Sequence, residues 1–300
     1  MAERIYWTNS RLKDWQDCPR KEGYRYRDQI VPTGGSRLAL QIGRAVHRGI
    51  ETWSLDEGMR ELDLGYPTSV EEAEQMEVTT ATVKAMLEGY LTHYQPFEIH
   101  NPELEFLIGA RYPTKKGLRR SNRVMLAGKI DDIAVVDGQE WLVEYKTAGQ
   151  IDKTYFDRLY VDSQISFYMM AAKRIGYKPV GVIYRIIKKP GIRVRKDETI
   201  EAFTERLTKD YLVRPDFYFH EARLYRSDDD LEAFEIDLWK EIRQAEKNAS
   251  EGFLARHSHA CSNWGSCPYL PLCMGEAGAE NMYEERAPFE ELSVMIGREL

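Results

Sequence analysis

The 300-residue chain predicts an α/β fold with a mixed central sheet flanked by helices. Three observations lead there. Helical periodicity governs most of residues 10 to 94. Three apolar, β-branched runs follow in succession between residues 103 and 148, and helix, strand and helix then alternate to residue 250.

Taken in order, Ser10 to Tyr26 reads as helix, and LALQIGRAVHRGIETW at 38 to 53 has the amphipathic spacing of a helix that carries His47. Ser69 to Tyr94 reads as one long helix, with Ser69 as N-cap and Glu72 completing a capping box. The runs ELEFLIGARY, RVMLAGKIDDIAVV and EWLVEYKTA are strands, and the Asp137-Gly138 turn joins the last two into a β-meander. SQISFYMMAAKRIG at 163 to 176 is helical, GVIYRIIKK at 181 to 189 is a strand, and a charged helix runs from about Asp228 to Ser250. We expect a single domain over residues 1–300. It divides into an N-terminal helical part (1–98), an α/β core (99–190) and a C-terminal helical part (191–300).

A hydrophobic fraction of 43% over 300 residues is enough for a sizeable core. MAERIYWTNS has neither the basic start nor the apolar run of a secretory signal, and nothing approaches about 18 consecutive apolar residues. A soluble protein of the cytoplasm, with no membrane partner, is therefore expected. A net charge of −7 argues against a general polyanion binder. Local charge points the other way, in RKEGYRYR at 20 to 27, KKGLRRSNR at 115 to 123 and KKPGIRVRK at 188 to 196. Each suits a phosphate backbone or a solvated loop equally well.

Residues two apart on a strand share a face, so Glu144 and Lys146 emerge together. The Asp-Gly turn brings the preceding strand, with Asp131, back beside Glu144. Two carboxylates from neighbouring strands with a lysine next to them form a cage for a hard divalent cation such as Mg²⁺, which keeps waters and so admits a phosphate. Phosphodiester hydrolysis is the chemistry that suits such a cluster. Asp132, the neighbour of Asp131, should face the other side of the strand, exposed or against a helix. Glu103 and Glu105 on the first strand could supply another carboxylate, but an outward strand residue is the stronger reading of either. Gln164 and Tyr168, four apart, share one helix face. Taken singly, each has a plainer reading: Glu-x-Lys a surface ion pair, His47 a packed or surface histidine, Tyr168 core.

As an ordered set, GRAVH, GKID, EYK and QISFY resemble the PD-(D/E)XK nuclease superfamily, in particular its RecB-like exonuclease branch, and the resemblance spans most of the chain. It implies a restriction-endonuclease-like core. It also implies His47, Asp131 and Glu144 as ligands of Mg²⁺ or Mn²⁺, with the Tyr145 carbonyl as a further one. Lys146 becomes catalytic, and Gln164 and Tyr168 position Lys146 or the DNA.

Cys18 is followed by no other cysteine until Cys261, Cys267 and Cys273. Intracellular proteins seldom use disulfides, so four cysteines point to free buried thiols or to metal. The late three sit with Pro268, Pro271, Trp264 and Gly265 in a loop suited to ligands. One cysteine before the core and three after it resembles the subset of RecB-like nucleases that carries an iron-sulfur cluster, including the CRISPR-associated adaptation exonucleases and AddB-type subunits. That implies a [4Fe-4S] cluster of mainly structural role on Cys18, Cys261, Cys267 and Cys273. Zinc is the alternative, with His257 and His259 close by in sequence.

VIYRIIKKPGIRVRKDET and DYLVRPDFYFHEARLYRS resemble a phage or prophage version of these nucleases, which places the protein in a bacterial or phage-infected cell. Tyr218 and Phe219 read either as stacking platforms for single-stranded bases or as core. The function expected is a metal-dependent DNA exonuclease acting on single-stranded or frayed ends in replication, recombination or repair. The sequence contains no G-x-x-x-x-G-K-[ST], so unwinding falls to a helicase or recombination partner. The alternatives are a catalytically idle scaffold subunit that binds DNA ends and a restriction-type endonuclease.

Overall fold

The computed structural model describes residues 4–33, 38–67, 69–263, 265–289 and 292, so Trp264 lies outside the described residues. The chain begins with a strand that the sequence pattern does not announce, β1 (Ile5–Trp7), and then α1 (Asn9–Asp17), whose first turn is capped by the Thr8 hydroxyl accepting from the Arg11 N–H at 3.1 Å. The continuous helix expected from Ser10 to Tyr26 breaks at Cys18. That residue is extended (φ −161°, ψ 111°) because Pro19 follows it, and a residue before proline disfavours the helical region. Pro19 then starts α2 (Pro19–Glu22), which runs into a π-helical turn, Gly23–Arg27.

Next come β2 (Ile30–Pro32), α3 (Leu38–Glu51), α4 (Leu55–Glu61) and α5 (Val70–His93). The hydroxyls of Ser54 and Ser69 cap α4 and α5 by accepting from Glu57 and Glu72 N–H groups. The meander consists of β3 (Glu98–Thr114), β4 (Gly117–Val136) and β5 (Gln139–Ala148), its first two strands well longer than the pattern predicts. Asp137 and Gly138 both take positive φ (53° and 75°), as a two-residue hairpin turn requires. The chain continues through α6 (Lys153–Leu159), α7 (Ser163–Arg174), β6 (Gly181–Lys188), α8 (Ile200–Val213), α9 (Pro215–Tyr218) and β7 (Phe219–Leu224). It ends with α10 (Asp228–Ser250), α11 (Leu270–Met274) and β8 (Tyr283–Glu285), and Ser227 with Asp230 forms a capping box at the start of α10.

Among the described residues the main sheet has six strands in the order β1-β4-β5-β6-β7, with β3 also on β4. β1 runs parallel to β4 and β5 parallel to β6, while the other pairs are antiparallel, so the sheet is mixed as expected. One face carries Leu126, Ile130 and Leu142 beneath α1, α7 and α10, and the other carries Ala134, Val143 and Tyr145 beneath α3, α5 and α8. Tyr218 and Phe219 are 1% and 5% exposed, and Tyr218 stacks on Tyr211 at 3.8 Å between ring centres. The stacking-platform reading of these two residues is thereby overturned in favour of core packing. No helix among the described residues is long and apolar enough to cross a membrane.

Candidate active site

The long strand β4 shares one edge between two partners. β5 pairs with it from Asp132↔Val143 to Val136↔Gln139, and β1 pairs with it at Val124, Met125 and Leu126. Residues 127–131 lie between the two pairings, where β5 has parted from β4. The backbone groups so released find side chains instead. The Tyr145 N–H donates to Asp131 Oδ2 at 3.1 Å, and His47 Nε2 lies 2.8 Å from the Tyr145 carbonyl oxygen and 3.4 Å from Asp131 Oδ2. The prospective ligands Asp131, Tyr145 and His47 therefore meet at one point, because an unpaired strand edge must be satisfied locally.

Glu144 projects from the same stretch of β5 and is 3% exposed. Its Oε1 pairs with the Lys146 ammonium and accepts from Gln164 Nε2 at 2.7 Å. Gln164 can reach it because α7 starts here, capped by Asp162, whose Oδ1 accepts from the Gln164 N–H at 2.7 Å. The Gln164 contact thus goes to Glu144, whereas the family resemblance gives Lys146 or the DNA as its partner. Tyr168, one turn on, hydrogen-bonds Gln164 and feels the charges of Glu144 and Lys146.

The electrostatics follow from this crowding. Burial opposes a charge on His47, but Asp131, Glu51 and the Tyr145 carbonyl outweigh it and push the imidazole up to about 9. Burial also opposes a charge on Lys146, yet Glu144 and Asp131 together hold it above its usual value as an ammonium. For Glu144, burial and Asp131 act upward against the pull of Lys146. Burial raises Tyr168 as well and keeps its hydroxyl neutral. His47 and Lys146 thus face the carboxylates of Asp131 and Glu144 as cationic groups.

Asp132 is not exposed. It is 2% accessible on the opposite face, hydrogen-bonded to the Tyr145 hydroxyl, and burial with the nearby Asp131 charge pushes its carboxyl up to about 7. Glu103 pairs with Lys129 across the strands and Glu105 is exposed, so neither joins the cluster. A cavity of about 270 Å³ opens over Asp131 and His47, and Thr8, Asn9 and Ser10 at the start of α1 line its other wall. Sequence reasoning missed that wall, and it also missed Glu51, whose Oε1 lies 3.5 Å from His47 Nδ1. The i, i+4 spacing of His47 and Glu51 was the available signal for the second. For the first there was none, since β1 is only three residues long.

The chain ends also meet. β2 pairs with β8, the Arg20 N–H donates to the Ala255 carbonyl at 3.1 Å, and His257 Nδ1 lies 3.2 Å from the Asp17 carbonyl. Cys273 Sγ stands 4.0 Å from the Tyr24 hydroxyl, and the Cys267 N–H donates to the Cys261 carbonyl at 2.9 Å. Burial pushes the Cys267 thiol up, with Cys261 and Cys273 acting in the same direction and Lys21 against it. All four cysteines are free. The donor set suits a thiolate-ligated metal, but among the described residues no three His, Cys, Asp or Glu side chains converge to hold an ion, here or beside Asp131.

No curated protein matches the chain. The crystal structure of a candidate exonuclease from Eubacterium rectale aligns with 97% of this chain and 93% of its own, at 11% identity and a TM-score of 0.47. That of SSO0001 aligns with 71% and 77% respectively, at 15% identity and a TM-score of 0.25. Residues 6–274 match the family model of the PD-(D/E)XK nuclease superfamily, a span that takes in the parted strands and every prospective ligand around Asp131. The chain belongs to the PD-(D/E)XK nuclease superfamily.

Proposed function

We propose that the protein is a divalent-metal-dependent deoxyribonuclease that shortens DNA from single-stranded or frayed ends, in replication, recombination or repair. One observation carries this reading. Asp131 and Glu144 stand where β4 and β5 part, with Lys146 bonded to Glu144 on the same face, in a member of a nuclease superfamily.

Nucleases of this superfamily generally use Mg²⁺ or Mn²⁺, and here Asp131, Glu144, His47 and the Tyr145 carbonyl would hold it. When bound, the metal polarises a phosphoryl oxygen and makes water a stronger nucleophile. The chain's own groups do the rest. Lys146 remains an ammonium, so it orients the attacking water and offsets negative charge that develops on the scissile phosphate. Gln164 fixes the carboxylate plane of Glu144, and the neutral Tyr168 hydroxyl holds Gln164 in turn.

The same reading assigns a [4Fe-4S] cluster to Cys18, Cys261, Cys267 and Cys273, with zinc as the alternative, and a phage or prophage setting with a separate helicase or recombination partner. The docking of the late cysteine loop on the Cys18 segment supports the cysteine assignment.

Degradation of end-labelled single- and double-stranded DNA in Mg²⁺ and then Mn²⁺, for wild type and Lys146→Ala, tests the activity. Metal-dependent loss of label from one end, absent in the variant, is the result expected. Binding of DNA ends without cleavage in either metal would replace the enzyme with a scaffold subunit.

A further inference from the structure

Beyond the cavity, β3 and β4 continue as a two-stranded ribbon. Its register runs Arg111↔Arg120, Tyr112↔Arg119, Pro113↔Leu118 and Thr114↔Gly117, and Lys115 with Lys116 forms the turn. The ribbon is fastened at its base. A bulge separates it from the regular ladder, where Ser121 Oγ accepts from the Arg123 and Val124 N–H groups at 3.2 and 3.0 Å. Gly109 faces this bulge so closely that an added Cβ would lie 2.2 Å from the Ser121 carbonyl oxygen. One side rests on α10 through Tyr112 against Trp239 and Arg111 against Glu235.

Apart from Arg111, the charge on this ribbon has no internal ion-pair partner among the described residues. Lys115, Lys116, Arg119, Arg120 and Arg123 are all exposed, and none has a carboxylate at ion-pair distance among the described residues. At the base of the ribbon, Arg111 and Arg174 share the buried Glu235, and the charge of Arg120 bears on Arg174 as well. Glu232 is the other acidic group that acts on this corner. By contrast Arg11, Arg25, Arg27, Arg185 and Arg206 each meet a carboxylate. In a chain of net charge −7, an exposed element left with this cationic excess is a surface for a polyanion.

Direction and reach connect the ribbon with the site. Gly128 and Lys129 of β4 line the cavity, and the strand runs from there back to Arg123 in five residues, at most about 18 Å, and to Lys116 in twelve, at most about 43 Å. Those spans correspond to roughly 5 and 12 base pairs of duplex at about 3.4 Å per step. The ribbon exposes no aromatic ring, since Tyr112 is held by Trp239, so it lacks the stacking surface that grips single strands. A two-stranded β-ribbon does fit the major groove or follow the phosphates of a duplex.

We propose that the β3–β4 ribbon is a duplex-holding arm, which binds the double-stranded DNA behind the frayed end through Lys115, Lys116, Arg119 and Arg123. This inference deepens the proposed function and rests on it for the identity of the DNA end.

The test is fluorescence anisotropy, without added divalent metal, on hairpin DNAs that share one single-stranded tail and carry duplex arms of roughly 4, 8, 12 and 16 base pairs. For wild type, affinity rises with arm length up to about 12 base pairs and then stays level. The quadruple variant K115A/K116A/R119A/R123A abolishes that rise and lowers the salt slope by roughly 3 to 4, at about 0.9 per phosphate contact. It leaves binding of the tail alone and the melting temperature unchanged, and a charge-keeping R119K/R123K variant binds as wild type does. Affinity that ignores arm length, or a quadruple variant that weakens tail and duplex equally, overturns the proposal. Cleavage of the same DNAs in Mn²⁺ is scored separately. Arm-dependent binding without cleavage would sink the nuclease reading and leave the arm standing.

Discussion

The backbone N–H of Tyr145 donates to the Asp131 carboxylate at 3.1 Å, a hydrogen bond that stands in for the β-ladder where β4 and β5 separate. The parting of the strands and the presence of a carboxylate in the gap are thus one feature. Without Asp131, Tyr145 would present an orphan N–H beside a half-buried histidine.

Asp131 and Asp132 should therefore respond differently to the same change. Asp131→Asn keeps an oxygen for the Tyr145 N–H, so the fold survives while the anionic charge that draws the cation is lost. Cleavage in Mg²⁺ should fall more than about a hundredfold, beyond the 10- to 100-fold range of an outer-sphere partner. Asp132→Asn keeps a partner for the Tyr145 hydroxyl and removes a carboxylate from a site 2% exposed, so it should retain cleavage and melt at the same or a higher temperature. Rate measurements with the two purified variants, paired with thermal melts, check both outcomes. Equal losses would mean that the cation draws on both faces of the strand.

Gln164 acts through Glu144. With its 2.7 Å contact removed, Glu144 is bonded by Lys146 alone and rotates more freely. Gln164→Ala should raise the Mn²⁺ concentration for half-maximal cleavage by roughly 10- to 100-fold with little change in melting temperature. A loss of rate at saturating Mn²⁺ with no change in that midpoint would move Gln164 to the DNA instead.

How much of this was legible depends on the length scale of each signal. α5 and α10 were readable almost to the residue, because Ser69 caps the first and a long charged run marks the second. The β4–β5 turn was readable because Asp-Gly accepts positive φ twice in succession. β1 was not, since three residues carry no period, and neither was the break at Cys18, where the Pro19 signal was overridden by helical periodicity on both sides. In the site, alternation placed Glu144 and Lys146 on one face. It could not place Asn9 or Ser10, which reach the cavity only through the parallel pairing of β1 with β4.

The interior of the sheet contains one guanidinium that no site uses. Arg185 is 6% exposed on β6, lies 3.9 Å from the ring centres of both Tyr94 and Phe97, donates to the Tyr90 hydroxyl at 2.9 Å and pairs with Glu221 at 3.0 Å. Arg185→Ala strips the rings of their cation and leaves the Tyr90 hydroxyl and Glu221 without it, so urea unfolding should show a loss on the order of 3 kcal/mol at unchanged slope. A loss below about 0.5 kcal/mol would show that the rings repack around the gap.

The four thiols provide the last test. If Cys18 and the late three ligate one centre, a link between chain ends roughly 250 residues apart restricts the unfolded chain, and its loss should be felt by the whole fold. Protein purified without oxygen should be brown, with absorbance near about 400 nm and about four irons per chain, whereas a zinc centre would be colourless with one zinc. Cys18→Ala and Cys273→Ala should each remove the metal and lower the melting temperature by a similar amount, because either breaks the same link. The 254–285 segment rests on Arg20 and Tyr24 beside these cysteines, so hydrogen exchange there should rise when the metal is lost. Metal-free wild type with full stability and unchanged exchange in that segment would make the four cysteines ordinary free thiols.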